Sequence, residues 1–122
     1  MGWKMNNVLQ GEIWLFDPDP TRGTEIGKKI RPGIIMSHDL LNKGSSGLVF
    51  IVPLTSVYKG IESHIQINPP EGGVNTQSFA LCEQMRSISK QRLVKRLGKI
   101  KSRELLHEIR NWILDLLMLE QS

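Results

Sequence analysis

Cysteine is almost missing from this 122-residue chain, Cys82 being the only one. One thiol cannot close an internal disulfide framework or build a cysteine-based zinc site. Long apolar runs are missing too. Nothing approaches the ~18 apolar residues of a membrane span, and residues 1–10 (MGWKMNNVLQ) hold no apolar run suited to a signal peptide. A cytoplasmic, reducing location with no membrane attachment is the expectation. Histidine is scarce: His38, His64 and His107 lie far apart, without the short spacings that bring metal ligands together. No metal and no other cofactor is expected. The phosphate-cradling glycine loop, the dinucleotide fingerprint and the G-x-S-x-G elbow are all absent. So are repeats, linkers and low-complexity tracts. The expectation is one domain over residues 1–122, with 1–10 an N-terminal extension that can flex. A domain of this size buries roughly two-thirds of its unfolded surface. That favours a site on an open face, or in a groove shared by two subunits, over a deep enclosed pocket.

Charge is present in modest excess, +4 overall, but unevenly placed. Eight of the sixteen basic residues lie between Arg86 and Arg103, a stretch without a single acid. A second group, Arg22, Lys28, Lys29 and Arg31, is tempered by Glu25. Such a pattern reads either as a solvated surface or as a positive face that draws in a polyanion.

Alternation and punctuation suggest the elements. Residues 11–16 (GEIWLF) set Ile13 and Leu15 against Glu12, Trp14 and Phe16, as in a strand with one buried face. Asp17-Pro18-Asp19-Pro20 ends it, and 21–30 reads as a loop. Residues 32–36 form a short strand, 39–43 one helical turn, and 47–54 (GLVFIVPL) the central strand, with Pro53 at its end or at a bulge. Residues 63–68 set His64, Gln66 and Asn68 against Ile65 and Ile67, a half-exposed strand. Residues 69–73 form a turn, and 77–83 a strand. Helix and strand are not separable by pattern for 93–100. From Leu105 onward Leu106, Ile109, Ile113, Leu116 and Leu117 recur at helical spacing, with Ser102 as N-cap and His107 facing solvent. Short strands followed by one amphipathic helix make an α+β domain on a small, curved sheet.

The polar residues suited to chemistry sit at loops and strand ends. Arg31 precedes Pro32 where a strand begins; Thr55 and Ser56 follow the central strand; Glu83 and Gln84 close another, and Arg86 follows. Brought together, an arginine, hydroxyls and a carboxylate could hold a phosphate and move a proton. On composition alone Thr55 and Ser56 read sooner as turn residues, and Arg31 as a surface ion pair.

The segments G11-E-I-W, D19-P-T-R-G-T-E25, K29-I-R-P32, P53-L-T-S56 and C82-E-Q-M-R-S-I-S-K-Q-R-L93 resemble successive blocks of the MazF/PemK toxin family, in its order and near its spacing. The resemblance runs from Gly11 to the final helix. It implies an SH3-like curved, mostly antiparallel sheet with a C-terminal helix, paired as a homodimer. It also implies ribosome-independent, sequence-specific cleavage of single-stranded RNA, leaving a 2′,3′-cyclic phosphate (in some members a 3′-phosphate) and a 5′-hydroxyl. The partner it implies is a small acidic MazE-like antitoxin. The family's essential arginine and threonine match Arg31 and Thr55. Glu25 and Glu83 match its carboxylates and are the candidates for acid–base work or RNA contact. His64 resembles a histidine that some relatives use against RNA, and Ser56, Gln84 and Arg86, at the same strand ends, are the further candidates for RNA binding. One branch has a basic residue two before the carboxylate, where this chain has Leu81. The rival reading is a gyrase-poisoning toxin on the same fold, and a third is an inactive RNA-binding homologue.

Overall fold

In a computed structural model of the chain, the structure describes residues 8–18 and 30–118. Within them the strands are β1 (Glu12–Phe16), β2 (Arg31–Ile35), β3 (Leu48–Thr55), β4 (His64–Ile67), β5 (Ser78–Leu81), β6 (Arg86–Ser89) and β7 (Leu93–Lys99). A one-turn helix α1 (Asp39–Asn42) follows β2, and α2 (Arg103–Leu117) closes the described chain. All strand pairs are antiparallel, in the order β4-β5-β3-β2-β1-β7, with β6 paired to β3 beside β5. The fold is α+β, and the segment 93–100 that pattern left undecided is largely a strand.

The sheet bends because β3 changes partner. On one side it pairs with β2 from Ile51 to Pro53. On the other it pairs with β6 from Leu48 to Ile51 and then with β5 at Leu54 and Thr55. Pro53 stands at that change, inside the strand rather than at its end or in a bulge. A missing N–H costs least where one ladder stops and the next begins. Gly33 faces Pro53; a Cβ there would come 2.7 Å from Ile51 Cγ1 and 2.9 Å from Phe16 Cε1. Only glycine leaves room for these two buried side chains to lie across β2.

Bending wraps the sheet round two cores. Ile13, Ile34, Val52, Leu54, Ala80, Ile65 and Ile67 pack beneath Ile109 and Ile113 of α2. Trp14, Phe16, Ile35, Ile51, Ile88 and Leu93 form the other core. The single buried face expected for β1 is therefore corrected: Ile13 enters one core and Trp14 and Phe16 the other, and Leu15 is the half-buried member. Val8, inside the segment read as an extension, is fully buried in the second core. β6 had no sequence signal, since Ile88 is its only fully buried side chain. The expected strand over 77–83 stops at Leu81, and Cys82–Gln84 turns as a 3-10 helix. Ser102 caps α2 by accepting from the Leu105 N–H. The apolar stripe outruns its core, leaving Leu116 and Leu117 exposed.

Glu12, 3 % exposed, fastens β1 to β7. One carboxylate oxygen accepts from the Leu9 N–H and the Trp14 indole, each at 2.9 Å, and the other from Arg96 Nε at 2.8 Å. Removing the arginine leaves a buried charge short of a partner, whereas Arg96 is half in water and can hydrate if the acid is neutralised. In chemical denaturation, Arg96→Ala should lose about 2–4 kcal/mol, and Glu12→Gln distinctly less.

Candidate RNA-cleaving site

Arg31 opens β2 and Thr55 closes β3. Gly33 lies opposite Pro53, so the same register continued for two residues sets Arg31 level with Thr55. Thr55 faces Phe79 on β5, Phe79 faces Gln66 on β4, and Arg31 faces Phe16 on β1. These residues form one row across five strands, their side chains sharing a face. Proline after Arg31 holds its backbone extended as it enters the sheet, and the arginine is exposed.

The Thr55 hydroxyl accepts from the Val57 N–H at 3.2 Å. That bond uses a lone pair and leaves the O–H proton free to donate. Beside it opens a cavity of about 400 Å³, floored by Leu15, Pro32 and Leu54 and rimmed by Thr55, exposed Ser56 and Asn75. Arg86 donates from Nη2 to the Pro18 carbonyl (3.2 Å), and Arg92 from Nη1 to the same oxygen (2.5 Å). Three arginines thus gather near the end of β1. Glu25 lies outside the described residues.

His64, Glu83 and Ser63 form a separate group. Glu83 Oε1 accepts from the Ser63 hydroxyl and Oε2 from His64 Nε2, both at 2.7 Å. His64 lies opposite Leu81, two residues along from Phe79 and two strands over from Thr55. That is roughly 7 Å along and 10 Å across the sheet. His64 was expected on the open side of its strand, yet its side chain is 2 % exposed, and Nδ1 is buried with no hydrogen-bond partner among the described residues. In this arrangement the ring offers RNA no surface. Gln84, beside Glu83, is exposed.

Residues 9–117 match the family model described as PemK-like, MazF-like toxin of type II toxin-antitoxin system. The chain belongs to that family. Endoribonuclease MazF9 of Mycobacterium tuberculosis is 33% identical over 103 residues, covering 80% of this chain and 86% of the relative. The crystal structure of MazF from Deinococcus radiodurans superposes with a TM-score of 0.73 at 24% identity, over 90% of this chain and 96% of that one, and shows the common fold. A MazE-MazF structure from the same organism reaches 0.68 at 25% identity, over 90% and 95%.

In this MazF-like chain the basic run from Arg86 to Arg103 divides its labour. Lys90 is 4 % exposed, with Nζ donating to the Asn42 and Gly44 carbonyls. Arg96 pairs with Glu12. Lys95, Lys99, Lys101 and Arg103 are exposed and available to an anion. Sequence reading passed over Tyr58, Asn68 and Gln77, which flank the Thr55 row. A tyrosine in a short loop and isolated amides carry no motif, and only the strand register reveals their grouping.

Among the described residues two ionisable groups are clearly shifted. Burial foremost, and then the Glu83 charge, push the Cys82 thiol up to about 12, which makes it inert. At Glu83 partial burial alone would raise the pKa, but hydrogen bonds from Ser63, His64 and its own backbone N–H outweigh it and bring it to about 2. A carboxyl held so low is a weak proton acceptor at neutral pH. Its folded pKa lies below the ordinary 4.5, so its stabilising contribution is complete above that pH and is lost as pH falls toward 2. Denaturation of Glu83→Gln against the parent chain should show a deficit at pH 7 that shrinks steadily below pH 4.5. A deficit unchanged down to pH 2.5 would contradict the assignment.

Proposed function

We propose that this chain is a sequence-selective, metal-independent endoribonuclease toxin. It cuts single-stranded RNA without the ribosome, acts in the cytoplasm as a homodimer, and is neutralised by a small acidic antitoxin of the MazE kind. The observation that carries the reading is the adjacency of Arg31 and Thr55 at neighbouring strand ends, their side chains on the same face of the sheet. The family match supports it, as do the relative named an endoribonuclease and the similar structure solved with MazE. Among the described residues no helix is long and apolar enough to cross a membrane.

The RNA supplies its own nucleophile. Its 2′-oxygen attacks the adjacent phosphorus, the bond to the 5′-oxygen breaks, and a 2′,3′-cyclic phosphate and a 5′-hydroxyl result. Negative charge grows on the non-bridging oxygens in the transition state. Arg31 offers them forked N–H donors and Thr55 a hydroxyl proton. The 2′-hydroxyl proton passes to a base, and the 5′-oxygen gains a proton as it leaves. Glu83 has both oxygens engaged and a pKa near 2, which makes Glu25 the better candidate for that base. Ser56 lines the cavity beside Thr55, and Arg86 with the exposed lysines of β7 holds flanking phosphates. The same positive face attracts an acidic antitoxin segment.

Arg31→Ala and Thr55→Ala should each abolish measurable cleavage in EDTA, with circular dichroism unchanged. Losing one preorganised donor costs ~10²–10³ in rate, and losing the charged fork lies at the upper end. RNA affinity should fall far less. Lys95→Ala and Lys99→Ala should instead weaken binding modestly and flatten its salt dependence. Near-normal cleavage by Arg31→Ala at saturating RNA would refute the assignment.

A further inference from the structure

The face bearing Arg31 and Thr55 continues into a surface that the cleavage chemistry leaves unused. Phe79, directly opposite Thr55, is only 4 % exposed. Tyr58 lies against it, with ring centroids 5.2 Å apart and planes inclined at 41°. Tyr58 itself is 69 % exposed. The short segment after β3 presents the ring in this way. Its first turn is fixed by the bond from the Val57 N–H to Thr55 Oγ1. Gly60, at φ +69°, then lies beside the ring, where a Cβ would meet the Tyr58 hydroxyl at 3.8 Å. The result is an aromatic ring braced by Phe79, largely open to solvent, three residues from Thr55.

Beyond Phe79 the same face carries amides. Gln66 is opposite Phe79, and the β4–β5 register, continued one pair past Ile67 and Ser78, sets Asn68 opposite Gln77. Asn68 Oδ1 accepts from Gln66 Nε2 at 3.0 Å and from Gln77 Nε2 at 3.1 Å. All three side chains are exposed. Their mutual bonds orient them and leave both glutamine carbonyls and the Asn68 N–H groups open to a ligand. Neutral donors and acceptors in a fixed array suit the edge of a base better than they suit a phosphate.

We propose that Tyr58 is a stacking platform for a nucleobase next to the cleaved phosphate, and that Gln66, Asn68 and Gln77 read that base's edge. The inference rests on the reading of Arg31 and Thr55 as the cleaving pair. RNA lying on that pair passes the ring, and base–aromatic stacking tolerates any base. Selectivity at this position then comes from the amides.

The test uses an oligonucleotide spanning a mapped cleavage site, intact or with a single abasic residue at each position flanking the cut. The wild-type chain, Tyr58→Ala and Tyr58→Phe are compared by fluorescence anisotropy and by kcat and KM. Tyr58→Ala should raise Kd and KM roughly 5- to 100-fold with a much smaller change in kcat, and Tyr58→Phe should restore most of the loss. One abasic position should cost the wild type a similar factor and cost Tyr58→Ala little, since the two changes remove one contact. Gln66→Ala should relax base preference at that same position. Unchanged affinity in Tyr58→Ala, or equal abasic penalties in both proteins at every position, overturns the platform and returns this apolar loop to a role against a protein partner. Tyr58-dependent binding without any cutting would instead sink the cleavage reading and leave the platform standing.

Discussion

The molecule is organised by the change of partner along β3. This strand pairs with β2 on one side, and on the other with β6 and then β5, the change falling at Pro53. A strand shared in this way cannot lie in a flat sheet. The sheet therefore folds over two cores, one roofed by α2 and one closed by Trp14, Phe16, Ile51 and Ile88. The pairing register sets five residues of neighbouring strands in one row across the sheet, from Phe16 through Arg31 and Thr55 to Phe79 and Gln66. The turn between β5 and β6 makes the change possible, and Glu83 pins it by holding Ser63 and His64 at the start of β4. The carboxylate that resembles an acid–base residue is built as a clamp.

How much of this was legible in the sequence varied with the signal each residue carries. Leu105, Ile109 and Ile113 recur at helical spacing, so α2 and its Ser102 cap were readable. So were the strands around Ile34 and Ile51, whose apolar runs admit few alternatives. The two-sided burial of β1 was not, because alternation reports one covered face and cannot announce a second core. β6 escaped notice because a strand with one buried residue has almost no pattern. His64 and Lys90 were read by type: a polar residue in alternation and a lysine in a basic run both look exposed. One is buried against Glu83 and the other on the carbonyls that end α1. Arg31 and Thr55 became candidates through the family resemblance and their positions at strand ends. Their adjacency required the pairing register.

The basic face is smaller than the charge count suggests. Four of its eight cations have internal duties: Arg86 and Arg92 on the Pro18 carbonyl, Lys90 beneath α1, and Arg96 on Glu12. Arg86 is nonetheless exposed, and can meet a phosphate while anchored. A grip resting on few charges binds weakly at physiological salt. On the proposed reading, selectivity then rests on shaped contacts near the cut, with Gln66, Asn68 and Gln77 reading the base that the Tyr58 ring holds.

The central claim is cleavage by attack of the RNA's own 2′-hydroxyl, without metal. The most direct measurement is incubation of the purified chain with a long mixed-sequence RNA in EDTA, with cut positions mapped by primer extension and the new ends identified chemically. The account predicts cuts at one recurring short motif in single-stranded regions, each leaving a 2′,3′-cyclic phosphate or its 3′-phosphate hydrolysis product opposite a 5′-hydroxyl. Intact RNA in EDTA that is cut once magnesium is restored, or ends bearing a 5′-phosphate, would contradict it.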